Sequence, residues 1–181
     1  MRKVRSALLY SIPHTGNNTL VRILREHYPR KDLSIQHVVP FPMPTRKVGM
    51  HRPFRLDDPR YVDPPLLIVP TRHPESVLYS WWKRYAEWHD LGPNALAHWI
   101  AFHHKLQQEI LKAYEWQYFR VDADPQALGI ALHKLESTLN VEGLPDTLPV
   151  ENHFGNGPKS MPEFDTTILQ PMCDDWGYKN A

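Results

Sequence analysis

The chain has 181 residues, enough for one domain that buries a full hydrophobic core. Hydrophobic residues make up 41% and charged residues 23% of it, which excludes a disordered chain, and a net charge of +1 excludes a globally basic surface. No segment approaches the ~20 apolar residues of a membrane span, and the apolar run after the basic start is too short for a signal peptide. We therefore expect a soluble, cytoplasmic protein with neither nucleic acid nor membrane as partner.

Three strands are predicted in the first half of the chain. Residues 4–11 are predicted to form a buried first strand with apolar residues 8–10 at its centre, and the apolar residues over 19–28 then follow the spacing of a helix. The alternation over 33–39 predicts a second strand, and the apolar run over 66–71 predicts a third, buried strand. Residues 40–65 are rich in proline and charge, which predicts a long surface connection of the kind that often carries function.

The second half of the chain predicts three helices and one short strand. The first helix covers residues 74–88, and the second covers 95–114 with Asn94 as its N-cap. A strand over 118–121 follows, and Asp124-Pro125 then opens an amphipathic helix.

The C-terminal segment, residues 142–181, is rich in proline and glycine and is expected to wrap around the surface. Because no linker divides the chain, residues 1–181 are predicted to form a single domain. The alternation of strands and helices favours an α/β fold with a mostly parallel central sheet flanked by helices.

Several conspicuous side chains are interpreted as structural. The aromatic run on the predicted helix over 74–88 has helical spacing and is expected to be mostly core, although one ring could line an acceptor pocket. Three histidines on the next helix lack a carboxylate partner for a metal site and are interpreted as ordinary helix-face residues. The single cysteine excludes an internal disulfide and a cysteine-based zinc site. These residues are Trp81, Trp82, Tyr85, Trp88, His98, His103, His104 and Cys173.

Two polar turns carry residue types that suit anion binding. Residues 11–19 and 72–80 each lead from a predicted strand to the start of a helix, where unpaired N–H groups and the helix dipole attract phosphate or sulfate. Neither turn contains the G-x-x-x-x-G-K-[ST] pattern of a Walker A loop. Two such turns in one small domain predict a ligand with anionic groups at both ends.

The first turn, Pro13-His14-Thr15-Gly16-Asn17-Asn18, resembles the 5′-phosphosulfate loop of the PAPS-dependent sulfotransferases, with its Pro-Lys/Arg-Ser/Thr-Gly-Thr-Thr core. Gly16 would let the backbone approach an anion closely. On these residues alone, an ordinary capped strand-to-helix turn is an equal alternative. The side chains that would donate to the anion are those of Thr15, Asn17, Asn18 and Thr19.

The second turn resembles the 3′-phosphate segment of the same family, in which an Arg-x-Pro is followed by a Ser eight residues after the Arg. Arg72, Pro74 and Ser80 match that spacing. The resemblance implies that the Arg72 guanidinium and the Ser80 hydroxyl bind the 3′-phosphate. Lys159 stands in a glycine-rich segment that loosely resembles the family's late phosphate-binding loop. Without the resemblance, Arg72 is a strand-end surface arginine and Ser80 an ordinary helix residue.

A histidine lies between the two turns. The family's general base is often a His in a Lys-Thr-His-x-Pro-like segment, and Gly49-Met50-His51-Arg52-Pro53 has its histidine 21 residues before Arg72. The resemblance implies that His51 takes the proton of the acceptor. Gly49 replaces the lysine of the family, and a plain loop histidine is the alternative.

His14 departs from the family pattern, since Lys or Arg stands there to stabilise charge on the leaving group. Three alternatives follow: His14 acts catalytically as an imidazolium, another basic residue substitutes, or catalysis is weak or lost. Thr19 also replaces the aromatic residue that follows the loop in the cytosolic branch. Adenine stacking would therefore come from elsewhere in the chain.

The resemblance implies a three-layer, P-loop-NTPase-like fold. It also implies transfer of a sulfuryl group from PAPS to a hydroxyl or amine of a small-molecule or glycan-type acceptor, with PAP as product and no metal. The alternatives are a non-catalytic PAPS- or PAP-binding protein and a P-loop-type small-molecule kinase. A plain interaction module that binds no nucleotide is the last alternative. The missing Gly-Lys-Ser/Thr core counts against the kinase.

Overall fold

The computed structural model describes residues 7–12, 15–27, 33–37, 66–146 and 161–178, with the backbone alone for 17–19 and 33–37. The strands are β1 (Ala7–Ser11), β2 (Leu33–His37), β3 (Leu66–Thr71) and β4 (Trp116–Arg120). The helices are α1 (Asn17–His27), α2 (Pro74–Arg84), α3 (Glu87–Leu91), α4 (Pro93–Leu111), α5 (Pro125–Leu139) and α6 (Gln170–Trp176), and a 3-10 turn (Thr166–Leu169) precedes α6. The predicted connection over residues 40–65 lies outside the described residues.

The four strands form one parallel sheet in the order β2-β1-β3-β4. In the centre, β1 pairs with β3 from Ala7 opposite Leu66 to Leu9 opposite Ile68. Every residue of β1 and β3 is buried, because helices cover both faces of these two central strands. The predicted α/β fold with a mostly parallel sheet is therefore confirmed.

Helices pack on both faces of the sheet and give three layers. On one face, α1 and α5 pack leucine side chains against Leu9 and Ile68. On the other face, Leu111 of α4 packs with Leu8 and Leu67. Adjacent strand residues thus serve opposite layers, because successive side chains of a strand point to opposite faces. Within the described ranges, no helix combines the length and the apolar character needed to cross a membrane.

The helix predicted over 74–88 is two helices, because the chain turns after Arg84. Tyr85 is extended there, with φ −123° and ψ 96°. The turn brings Trp88 on α3 to Trp99 on α4, with 5.5 Å between the ring centroids. The prediction of an aromatic core is confirmed for the buried Trp81, Trp82 and Trp88, and Tyr85 packs against the same cluster.

Asn94 was predicted as the N-cap of the next helix, and this prediction is wrong. Gly92 occupies the N-cap position of α4 with φ 85°, and Pro93 is the first helical residue. The Asn94 side chain instead accepts a hydrogen bond from the backbone N–H of Asp165, at 2.8 Å. The amide is therefore used to attach the C-terminal segment to α4.

The C-terminal segment contributes to the core as well as to the surface. We predicted that residues 142–181 wrap around the surface, but Met172 and Trp176 of α6 are buried, and so is Tyr178 just after this helix. These side chains join the cluster formed by α2 and α4. The physical reason is the helical spacing of these apolar residues, which the high proline and glycine content of the segment obscures.

Candidate functional site

The strand order places the carboxyl ends of β1 and β3 next to each other. The chain passes from β1 outward to β2 and then returns across β1 to β3, so the order reverses between these two strands. In open α/β sheets, ligands bind in the crevice outside the carboxyl ends of the strands at this point of reversal. Both turns predicted to bind anions start here, because one follows β1 and the other follows β3.

The turn after β1 is held together by its own hydrogen bonds. Thr15 is fully buried, and its Oγ1 donates to the carbonyl oxygen of Ile12 at 2.8 Å. The N–H of Leu20 donates to the carbonyl oxygen of Gly16 at 3.3 Å, so α1 begins directly after this glycine. The Thr15 proton thus serves the turn, and among the described groups the backbone N–H groups in the first turn of α1 are suited to an anion.

Gly16 is required by packing as well as by conformation. Its φ is +93°, and a Cβ built on it would lie 2.6 Å from Cγ2 of Val121, in the turn after β4. The missing side chain of Gly16 therefore lets Val121 pack closely, and the approach of its backbone to an anion stays a prediction. Pro13 and His14 lie outside the described residues, as do the side chains of 17–19.

The turn after β3 presents Arg72 at the start of α2. Arg72 is half-buried, and burial lowers the pKa of its guanidinium, while the neighbouring Asp122 and Tyr178 act in the opposite direction. His73 is the N-cap of α2 and Pro74 is its first residue, so the carboxyl end of β3 leads directly into a helix N-terminus.

A cavity of about 420 Å³ opens beside this turn. Its two sides are α2 and the C-terminal segment just before the 3-10 turn, and it combines one arginine with one carboxylate, two hydroxyl groups and two aromatic rings. Ser80 is half-buried on α2 but does not line this cavity. The lining residues are Arg72, Glu75, Ser76, Tyr79, Met161 and Phe164.

The carboxylate of Asp122, just after β4, joins the same edge of the sheet. Its Oδ2 accepts a hydrogen bond from the backbone N–H of His73 at 2.8 Å. Its Oδ1 accepts from the Tyr178 hydroxyl at 2.5 Å and from Nε of Arg120 at 3.3 Å. Burial and the contact with this carboxylate raise the pKa of the Tyr178 phenol, which therefore stays protonated and donates.

Two of the three histidines on α4 are not the ordinary helix-face residues that we predicted. His103 and His104 are 2% and 3% exposed, and Nε2 of His104 lies 2.7 Å from Oδ2 of Asp175 on α6. The carboxylate partner of His104 thus comes from a helix that lies far away in the sequence. His98, in contrast, is an exposed helix-face residue as predicted. The described side chains include no group of three or more His, Cys, Asp and Glu that could hold a metal ion.

The burial of His103 predicts a loss of stability in acid. Burial lowers its pKa from 6.5 to about 4, and neither ring nitrogen has a hydrogen-bond partner within the described part of the chain. A folded-state pKa below the unfolded one means that protons bind the unfolded chain more tightly, so stability falls as the pH drops from about 6.5 towards 4. We expect the His103 contribution to be on the order of 2 kcal/mol at pH 4.5, measured by urea unfolding.

His103→Leu should remove this contribution and flatten the pH profile, while His98→Leu on the exposed face of the same helix should keep it. The buried His104 remains in both variants; burial lowers its pKa and Asp175 opposes that shift. Identical pH profiles for His103→Leu and the unsubstituted protein would show that His103 is not the group that titrates.

The structure brings some of the predicted site residues together and leaves others outside its described part. Thr15, Gly16 and Arg72 lie on the turns at the carboxyl ends of β1 and β3. His51 and Lys159 lie outside the described residues, so their proposed roles stay predictions.

Sequence reasoning missed Asp122 and Tyr178 as parts of this site. For Asp122 the available indication was a charged residue directly after a predicted strand, the same position that singled out Arg72. For Tyr178, 56 residues further along the chain, no local pattern indicated the contact. No protein-family model, no curated protein and no solved structure matches this chain.

Proposed function

We propose that this protein is a sulfotransferase that moves a sulfuryl group from PAPS to a hydroxyl or amine of a small-molecule or glycan-type acceptor and releases PAP. One observation carries the proposal: the turns after β1 and β3 leave adjacent strands at the same edge of the sheet. Neighbouring strands are about 4.8 Å apart. Such closely spaced turns suit the 5′- and 3′-phosphates of PAP, which are carried by a single ribose.

Each part of the nucleotide has a candidate partner in this proposal. The N-terminus of α1 holds the 5′-phosphate, and Arg72 with Ser80 holds the 3′-phosphate. Tyr79 and Phe164 line the cavity that Arg72 also lines, and their rings offer the aromatic surface for adenine that the sequence did not supply. A P-loop-NTPase-like arrangement of the three layers belongs to the same proposal.

The proposed reaction is an in-line displacement at sulfur. The acceptor oxygen or nitrogen forms a bond to sulfur while the bond between sulfur and the bridging oxygen of the 5′-phosphate breaks, and PAP leaves with that electron pair. The proton of the acceptor passes to His51, and His14 with the amides of α1 balances the charge on the departing phosphate.

A protein that binds PAPS or PAP without turnover is the second candidate. The histidine at position 14 favours it, because a neutral imidazole stabilises a leaving phosphate less than a fixed positive charge does. Both candidates predict the same nucleotide site, and only release of PAP from PAPS in the presence of an acceptor separates them.

Thermal unfolding with PAP, PAPS, ATP and ADP, each with and without Mg²⁺, tests the proposed site. PAP is expected to stabilise the protein without metal, by about 2.7 kcal/mol when its concentration is 100 times the Kd. Stabilisation by Mg·ATP with no effect of PAP would overturn the proposal and favour a kinase. Stabilisation by PAP with no turnover across a panel of hydroxyl and amine acceptors would favour the second candidate, a protein that binds the nucleotide without catalysis.

A further inference from the structure

The Asp122 carboxylate connects three segments around the proposed 3′-phosphate site. It accepts the backbone N–H of His73 at 2.8 Å, the Tyr178 hydroxyl at 2.5 Å and Nε of Arg120 at 3.3 Å. These donors come from the start of α2, from the C-terminal segment and from the end of β4. Asp122 is thus the common acceptor of groups that lie far apart in the sequence.

These contacts restrict the peptide that carries Arg72. A charged acceptor strengthens the hydrogen bond to the His73 N–H, and this bond fixes the residue directly after Arg72. Tyr178 is 5% exposed, its ring lies edge-on to His73 at 5.3 Å, and the Arg120 guanidinium lies 3.9 Å from its centroid. Rotation of the Asp122 carboxylate would break its hydrogen bonds to the His73 N–H, the Tyr178 hydroxyl and Nε of Arg120.

We propose that Asp122 and Tyr178 are positioning residues that hold the Arg72–His73 turn so that the Arg72 guanidinium faces the 3′-phosphate of the nucleotide. The inference rests on the proposed function, and it adds two residues that act through Arg72 rather than by touching the ligand. The negative charge of Asp122 also favours the charged form of the Arg72 side chain. The C-terminal segment is therefore part of the binding apparatus although it reaches the nucleotide only indirectly.

A double-mutant cycle on PAP affinity tests this inference. Asp122→Asn keeps the size of the side chain and removes its charge, and calorimetry should show PAP binding about tenfold more weakly. In the Arg72→Ala background the same substitution should change the Kd less than twofold, because the group through which it acts is absent. Tyr178→Phe keeps the ring and removes the hydroxyl, and we expect a loss of about threefold that also vanishes without Arg72.

Asp124→Ala is the matched control. Asp124 lies two residues away and caps α5, with Oδ1 accepting the Ala127 N–H at 3.0 Å, so its loss lowers stability without acting on Arg72. PAP affinity should be unchanged in this variant. Equal losses from Asp122→Asn with and without Arg72 would overturn the inference and leave Asp122 a purely structural residue.

The same measurements separate this inference from the proposed function. If PAP binds and neither Asp122→Asn nor Tyr178→Phe weakens it, the positioning role fails and the sulfotransferase proposal stands. If the unsubstituted protein does not bind PAP, the proposed function fails and the positioning role fails with it. Melting without ligand checks that each variant is folded.

Discussion

Arg72→Ala is expected to weaken PAP binding about 100-fold, or ~2.7 kcal/mol. The guanidinium is half-buried at the carboxyl end of β3, where the helix N-terminus of α2 adds to its positive field. A bidentate contact to a dianionic phosphate in such a partly desolvated place is stronger than a surface ion pair. Isothermal calorimetry with PAP measures the loss directly.

Arg84→Ala is the control for this prediction. Arg84 is exposed in the last turn of the same helix, so its removal changes the net charge equally but leaves the site intact. Adenosine 5′-phosphosulfate, which lacks the 3′-phosphate, should lose less than threefold in affinity on Arg72→Ala. An unchanged PAP affinity would remove the 3′-phosphate assignment, and equal losses for the two nucleotides would show that Arg72 acts on the site as a whole.

Gly16→Ala should lower the free energy of unfolding by about 3 kcal/mol. Two costs add: an alanine strained at φ +93°, and a methyl group placed 2.6 Å from Cγ2 of Val121. Val121 follows β4 directly, so relief of the overlap would displace the turn that also carries Asp122. Urea unfolding followed by circular dichroism measures the change.

Two further variants separate the two costs. Gly177 has φ +72° and nothing within 4 Å of a Cβ, so Gly177→Ala should cost only about 1 kcal/mol. In a Val121→Ala background, where Cγ1 and Cγ2 are gone, the cost of Gly16→Ala should fall by at least ~1 kcal/mol. If Gly16→Ala proves no more destabilising than Gly177→Ala, close packing against Val121 is not what requires glycine here.

The regular elements were largely predictable because their patterns are local. The apolar run over 66–71 is β3 with the same bounds, since a fully buried strand needs apolar residues on both faces. Asp124-Pro125 opens α5 as predicted, with Asp124 as its N-cap, and Leu128, Leu132 and Leu135 are buried on one face of that helix. The break between α2 and α3 was not predictable, because the aromatic contact that it permits joins Trp88 of α3 to Trp99 of α4, and contacts between helices leave no local pattern in the sequence.

The candidate site was predictable only where a residue lies in the turn between a strand and the helix that follows it. Thr15, Gly16 and Arg72 occupy such positions, and parallel strands bring their carboxyl ends to one edge of the sheet. The Thr15 hydroxyl, predicted to donate to an anion, donates in this structure to the carbonyl oxygen of Ile12. Local sequence does not show whether a donor is already used by the backbone nearby.

The sequence by itself determined the α/β class and the two polar turns, because hydrophobic periodicity and strand-end residues are local properties of the chain. Only the tertiary structure decided the strand order, which makes β1 and β3 neighbours. Because the two strands are adjacent, the two predicted anion sites combine into one candidate nucleotide site. The tertiary structure also decided which groups hold Arg72 in place, since Tyr178 meets Asp122 across 56 residues of chain. A contact of that separation depends on how layers pack, and the spacing of residues along the chain does not encode it.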